Sequence, residues 1–269
     1  MSTANRHDAW KAGDSYDFYM GRWSRKVAPL FLAWLEPKSG LDWLEVGCGT
    51  GALTAAILAL AEPKTVIAVD PSEGFLARAR QTIEDPRATF ATGDAQELKF
   101  ENQSRDMVVS ALALNFVPDR AKALGEMARV VRPAGTVAFY VWDYPGRGVE
   151  FMRSFWTAAT AIDSTAAGLT EDTRFPFCTP PALVGLSEQA GLRDVKSTAF
   201  TIATVFKDFE DFWQPFTLGA GPAPGFCMSL DPQARQRLKD ELQSTLPRDR
   251  DGSIALTARA WGIKAEASR

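Results

Sequence analysis

Apolar and polar positions recur along the chain with two different periods, and the order in which those periods follow one another predicts the architecture. From Ala9 to Leu35, aromatic and apolar residues return at helical spacing until Pro37, Ser39 and Gly40 interrupt them, which predicts two helical pieces ahead of the first strand. Short apolar runs then alternate with helical patterns. Strands are expected at Leu41 to Val46, Thr65 to Val69, Ala88 to Ala91, Asp106 to Ala111 and Gly135 to Val141. Helices are expected at Ala52 to Ala61, Glu73 to Thr82 and Asp119 to Val131. Repeated strand-helix units require a mostly parallel sheet covered on both faces.

After Trp142 the pattern changes. Gly148 to Asp163 reads as an aromatic-rich helix, whereas Thr170 to Pro181 carries prolines and phenylalanines without a period. A helix from Pro181 to Ala190 leads through Gly191 into a strand at Val195 to Thr201, and Gly252 leads into a last strand, Ser253 to Ile263. Between those strands lie Asp208 to Phe216, the GAGPAPG stretch from Gly219 to Gly225, and a polar helix from Asp231 to Leu242. GAGPAPG lacks a following Lys-Ser/Thr, so it reads as an irregular connection, or an entrance loop, and not as a phosphate loop. The expected organisation is one domain over residues 1–269, with a helical cap at 1–40 and insertions at 145–185 and 207–250 that form a lid.

Composition narrows the function classes. A chain of 269 residues, 46% hydrophobic and 23% charged, is long enough for one sizeable core with insertions. A net charge of -3 gives no general attraction to phosphate backbones or anionic lipid, so nucleic acid is not an expected partner. No apolar run approaches the roughly 20 residues needed to span a bilayer. The polar start MSTANRHD lacks the basic and apolar regions of a signal peptide, so a cytoplasmic protein is expected. Cys48, Cys178 and Cys227 are widely separated, which suits free thiols and gives neither a disulfide framework nor metal spacing, so no metal is expected.

The segment with the most chemistry is LEVGCGTG, Leu44 to Gly51. An apolar run ends in a carboxylate, glycines follow, and a helix begins, which is the layout of a nucleotide-type site at a strand-to-helix turn. Gly47 and Gly49 can adopt backbone angles closed to other residues and let the main chain approach a ligand. Gly47, Gly49 and Ala52 also fit the looser dinucleotide pattern, with Asp70 where a ribose-binding acid belongs, so an NAD(P)-dependent oxidoreductase is a rival reading. Glu45 argues against it: a carboxylate beside the bend suits a cationic amino group and would repel a pyrophosphate.

Further matches follow at successive strand ends: VIAVDPSEGFLARAR with Asp70, TGDAQEL with Asp94, DMVVSALALNFVPD with Ser110 to Asn115, and RPAGTVAFY. With LEVGCGTG they make the chain resemble the class I S-adenosylmethionine-dependent methyltransferases over nearly its whole length. YMGRWSR and ARAWGIKAEA are similar to members of the small-molecule, quinone-biosynthesis type. The resemblance implies an α/β fold: a Rossmann-like doubly wound sheet of seven strands, order 3-2-1-4-5-7-6 with strand 7 antiparallel, and a helical cap. It implies S-adenosyl-L-methionine as cofactor and a small-molecule acceptor; a non-catalytic module binding the same nucleoside is the remaining alternative.

The resemblance also distributes roles. Glu45, Gly47, Cys48 and Gly49 would hold the methionine part, with Glu45 on the amino group directly or through water. Asp70 would accept from the ribose hydroxyls, with Pro71 and Ser72 beside it, although Asp70-Pro71-Ser72-Glu73 also fits a helix start. Asp94 would accept from the adenine amino group while the Ala95 N–H donates to the ring; an Asp-capped turn is the plainer alternative. Ser110 opens the segment lining the same pocket, where Leu112 or Asn115 would face cofactor or acceptor. Tyr16, Tyr19 and Arg22 belong to the cap, and Arg22 either pairs with the ligand carboxylate or lies at the surface beside buried aromatics.

Methyl transfer from a sulfonium leans on alignment and excluded water, which can lower such a barrier by roughly 7 to 11 kcal/mol, so an obvious general base is not required. His7 sits in a polar end and is expected to have no catalytic role. Asp143 and Tyr144, just past the fifth strand, are the candidates for proton transfer, with loop capping as the alternative. Trp142, Phe151, Phe155, Trp156, Phe175, Phe177, Phe212, Trp213 and Phe216 suggest an apolar or aromatic acceptor pocket, or ordinary packing of the cap.

Overall fold

The computed structural model describes residues 16–219 and 221–267, so part of the expected helical start at Ala9, and His7, lie outside the described residues. A π-helical turn, Asp17–Gly21, runs directly into helix α1 (Arg22–Leu35). Trp23, Val27, Phe31 and Leu35 recur every four positions on α1 and are buried, so one stripe of the helix faces inward although Pro29 removes a backbone donor midway.

The sheet contains β1 (Asp42–Val46), β2 (Thr65–Asp70), β3 (Ala88–Thr92), β4 (Arg105–Ala111), β5 (Val131–Trp142), β6 (Leu192–Phe206) and β7 (Ile254–Ala267). Their spatial order is β3-β2-β1-β4-β5-β7-β6, and β7 runs antiparallel to both β5 and β6, which is the expected Rossmann-like topology. All five residues of β1 are buried, because the strand has parallel neighbours on either side and helices over both faces. The chain leaves β1 for β2 and β3, then returns to β1's other edge as β4. That reversal opens a crevice at the carboxyl ends of β1 and β4, the usual ligand position in open α/β sheets.

Helices α2 (Ala52–Leu60), α3 (Glu73–Thr82) and α4 (Arg120–Val130) cover the parallel strands. The starts of α3 and α4 follow from capping: the Ser72 hydroxyl accepts from the Phe75 N–H at 3.4 Å and the Asp119 carboxylate from the Lys122 N–H at 2.9 Å. Between β5 and β6 lie α5 (Glu150–Ile162), α6 (Glu171–Arg174) and α7 (Pro180–Gln189). Between β6 and β7 lie α8 (Phe209–Trp213), α9 (Pro222–Ser229) and α10 (Pro232–Thr245).

The structure departs from the sequence expectation in several places: β5 begins at Val131 and β7 runs on to Ala267, each past the expected strand, and Glu171–Arg174 is helical. β6 extends well beyond Val195 to Thr201 at both ends, pairing with β7 from Leu192↔Ala267 to Phe206↔Ile254. Its alternation of buried Phe200, Ile202, Thr204 and Phe206 with exposed neighbours is that of an edge strand with one covered face; a register shift between Arg193 and Lys196 breaks the pattern near its start. The GAGPAPG stretch is not an irregular connection throughout, because Pro222–Ser229 is helical. Pro222 and Pro224 occupy the first turn, where the missing N–H groups would have had no intrahelical partner.

Aromatic contacts tie these later helices to the sheet edge. Phe155 stacks on Phe216 at 4.3 Å, and Phe206 meets Phe212 edge-on at 5.1 Å. On the same covered face of β6, Phe31 of α1, fully buried, contacts Tyr140 at 4.8 Å and Phe200 at 6.1 Å, bridging β5 and β6. Phe31→Ala is therefore expected to lower unfolding free energy by about 3–5 kcal/mol in chemical denaturation, the cost of a large core cavity; a change below about 1 kcal/mol would show that α1 does not depend on this anchor.

Candidate active site

The site begins with the burial that β1 imposes on Glu45. The residue is fully buried, registered against Ala68 of β2 and Val109 of β4. Its Oε2 accepts from the Thr54 hydroxyl of α2 at 2.5 Å, while Oε1 has no hydrogen-bond partner among the described residues. Burial pushes the carboxyl up to about 8; the Thr54 bond opposes this and the nearby charge of Asp70 adds to it. The Tyr140 hydroxyl, in the same cleft, is also buried without a hydrogen-bond partner among the described residues.

The bend after β1 is held open by backbone geometry. Gly47 has φ +75°, and a Cβ there would stand 2.4 Å from the Ala113 Cβ, so only glycine lets the ends of β1 and β4 come this close. Gly49 has φ +54° and open space around it, which leaves its main chain accessible. The Gly47 and Cys48 N–H groups both donate to the Val69 carbonyl, at 2.7 and 3.0 Å. The Gly49 N–H donates to Asp70 Oδ2 at 2.9 Å.

Asp70 is 7% exposed at the end of β2, and its Oδ1 accepts from the Ser72 N–H at 2.9 Å. Burial raises its carboxyl above the ordinary range, against the pull of those two backbone bonds. Each oxygen keeps a lone pair that a ligand hydroxyl could use. The Asp94 carboxylate is exposed and accepts from the Gln96 N–H at 2.8 Å; that bond and the Gln96 amide hold it below its ordinary value.

A cavity of about 450 Å³ joins these groups. Glu45, Gly47, Cys48, Gly49, Asp70, Pro71, Ser72, Asp94, Ala95 and Ser110 all line it. Tyr16, Phe75, Gln96, Leu112, Phe116 and Tyr140 also line it, and sequence reading did not name most of them as site residues. Phe75 and Tyr140 are apolar-periodic positions that read as core, and the positive φ of Leu112, +56°, has no sequence signature. Asn115 is buried but does not line the cleft.

Four expected site residues lie elsewhere. Tyr19 is buried edge-on against Phe151 and Phe216, away from the cleft lining. Arg22 Nη1 pairs with Asp211 Oδ1 at 2.7 Å, and its guanidinium lies over the Trp23 and Phe206 rings at 4.4 and 4.7 Å. Its charge is thus matched within the protein, and a ligand carboxylate is not what it faces. Asp143 is 1% exposed; Oδ1 accepts from the Gly146 N–H at 2.9 Å and Oδ2 from Arg259 Nε at 2.7 Å. Both oxygens brace the turn after β5 onto β7, so Asp143 is a loop brace and not a proton acceptor. Tyr144 is buried 5.4 Å from the Phe175 ring and lines neighbouring cavities, not this cleft.

The chain matches the family described as "Methyltransferase domain" over residues 44–139. It is 30% identical over 193 residues to the demethylmenaquinone methyltransferase of Bacillus mycoides, covering 62% of this chain and 76% of that protein. It is 30% identical over 180 residues to the Bacillus subtilis protein of the same name, covering 62% and 77%. Among solved structures, phosphoethanolamine N-methyltransferase 2 of Haemonchus contortus in complex with S-adenosyl-L-methionine superposes with a TM-score of 0.63 at 18% identity, covering 100% of this chain and 60% of that one. The YcgJ protein of Bacillus subtilis gives 0.61 at 16% identity, covering 91% and 99%. At such identities the structural likeness speaks for the fold alone.

Because Asp143 acts as a brace, Asp143→Asn is expected to cost about 1–2 kcal/mol, discounted for the partly exposed Arg259, and to lower the thermal midpoint by a few degrees. Affinity for a ligand of the cleft should stay within about twofold. Unchanged stability with a hundredfold loss of turnover would instead restore Asp143 to the chemistry.

Proposed function

The chain belongs to the class I S-adenosylmethionine-dependent methyltransferases, and from that premise we propose that the cleft at the ends of β1, β2 and β4 holds the donor, and that a small apolar or aromatic molecule receives the methyl group by direct in-line displacement. The protein is a methyltransferase with S-adenosyl-L-methionine as cofactor, and the oxidoreductase and binding-module alternatives fall with that membership.

The observation that carries the donor assignment is the free Oε1 of Glu45. A fully buried carboxylate oxygen without a partner is costly, and a ligand ammonium group would relieve that cost while ionising the acid. Gly47, Cys48 and Gly49 would line the methionine part. Asp70 would accept from the ribose hydroxyls, flanked by Pro71 and Ser72, and Asp94 with the Ala95 N–H would meet the adenine. Ser110 closes the far wall. When bound, the sulfonium supplies an electrophilic methyl and leaves as a neutral thioether.

The acceptor reading rests on the aromatic character of the insertions. Residues 145–185 and 207–250 contribute Phe155, Trp156, Phe175, Phe212 and Phe216, all buried, and are the proposed substrate lid of one methyltransferase domain. The relatives are named for methyl transfer to demethylmenaquinone, which supports an aromatic acceptor. No helix among the described residues is long and apolar enough to cross a membrane. With a net charge of -3, a small-molecule acceptor in the cytoplasm fits better than nucleic acid.

Asp70→Ala should weaken S-adenosylmethionine binding at least about tenfold in a calorimetric titration without unfolding the protein, since a hydrogen bond to a charged acceptor is worth about 1.5–3 kcal/mol; unchanged affinity removes Asp70 from the site. Glu45 also predicts a pH dependence. A carboxyl near 8 is largely protonated at pH 7, and a cationic ligand favours its ionised form, so donor affinity should rise between pH 6 and 8 with proton release on binding. Glu45→Gln should flatten that rise; a flat profile in the unaltered protein would refute the assignment.

A further inference from the structure

Beside the donor cleft lies a second buried acid that the chemistry above does not use. Glu171, on α6 in the first insertion, is 4% exposed. Its Oε2 accepts from the Trp156 Nε1–H at 2.5 Å, and its Oε1 is buried without a hydrogen-bond partner among the described residues. The indole therefore fixes the carboxylate's orientation and leaves one oxygen unused.

The surrounding voids share wall residues. The donor cleft shares Tyr16, Leu112 and Phe116 with a small inner void, which has room for about one water at roughly 20 Å³. That void shares Tyr144, Met152 and Glu171 as wall residues with an outer cavity of about 460 Å³. Val149, Met152 and Trp156 give the outer cavity an apolar wall, and Arg147 and Arg153 stand on it. Glu171 thus stands in the wall between a space of small-molecule size and the small void next to the donor cleft.

We propose that this outer cavity is the acceptor site, and that Glu171 Oε1 recognises a neutral hydroxyl group on an aromatic acceptor by taking its hydrogen bond. The proposal deepens the donor-cleft reading and rests on it. A hydroxyl is favoured over a cationic amine because Arg147 and Arg153 line the same cavity and Arg174 lies within electrostatic reach of the carboxylate. The groups facing Glu171 from the elements around it are the Trp156 indole of α5, Tyr144 after β5, Tyr19 of the π-turn, and Asp172 and Arg174 of its own helix. Burial pushes the Glu171 carboxyl up to about 7, with Asp172 adding to this and its own backbone N–H, Trp156 and Arg174 opposing it. The carboxylate, the stronger acceptor, accordingly grows in as pH rises through neutrality.

The test titrates 1-naphthol, its methyl ether 1-methoxynaphthalene, and 1-naphthylmethylamine into the full-length protein saturated with S-adenosylhomocysteine, between pH 6 and 8. Naphthol should bind saturably, about tenfold or more tighter than the ether, and should tighten with pH. Glu171→Gln, which retains an acceptor for the Trp156 N–H, should erase the naphthol advantage and its pH dependence while leaving ether binding and S-adenosylhomocysteine affinity within about twofold. Equal binding of naphthol and ether, no saturable naphthol binding, a preference for the amine, or a Glu171→Gln protein that behaves as the parent would each overturn the proposal. Absence of S-adenosylhomocysteine binding in both proteins would mark failure of the donor-cleft reading itself, and this inference would fall with it.

Discussion

A carboxylate that the fold buries and only half satisfies governs this molecule. Glu45 sits in a strand with all five positions buried, between two parallel neighbours, and Thr54 engages one of its oxygens. A core position of that kind would be more stable with an apolar residue. The retained acid makes sense where a ligand completes it, and the structure around it is arranged to admit one. The glycine bend removes the side chains that would fill the space, Asp70 anchors the bend through the Gly49 N–H, and the reversal of strand order opens the crevice above. The same low-dielectric surroundings that raise the Glu45 carboxyl strengthen its attraction for a cation once it is ionised.

The rest of the chain supports that crevice from a distance. Arg259 reaches across from β7 to Asp143 and fixes the turn where the first insertion departs. Arg22 ties the π-turn and α1 to Asp211 beyond β6, with its guanidinium sandwiched against aromatic rings. In the sequence Arg22 stands as a partner for the ligand carboxylate and Asp143 as a candidate for proton transfer. The geometry makes them braces. Arg22 and Asp143 each have a charged partner within the protein, whereas Glu45, Tyr140 and Glu171 each keep a buried oxygen with no hydrogen-bond partner among the described residues.

The legibility of the sequence followed the same division. The start of Glu73–Thr82 was readable because Ser72 caps it through local chemistry. The inner strands β2 and β4 were readable because burial leaves mostly apolar runs, and the glycine bend because positive φ selects its residue. The cleft residues that follow strand ends, Asp70, Asp94 and Ser110, were accessible for the same reason. What could not be read depended on contacts distant in sequence: the partner of Arg22 lies 189 residues away and that of Asp143 lies 116 away. The GAGPAPG stretch hid a helix because glycine and proline signal a break on average, while prolines in a first turn are compatible with a start. Glu171 carried no motif at all; only its burial against Trp156 and the voids beside it single it out.

The most direct measurement of the central claim is a crystal structure of the protein with S-adenosylhomocysteine. The account predicts the ligand's amino group within hydrogen-bond distance of Glu45 Oε1, at about 2.7–3.2 Å, with the ribose hydroxyls at Asp70. A nucleoside bound in the cleft with its amino group elsewhere and Glu45 Oε1 still unpaired would contradict it.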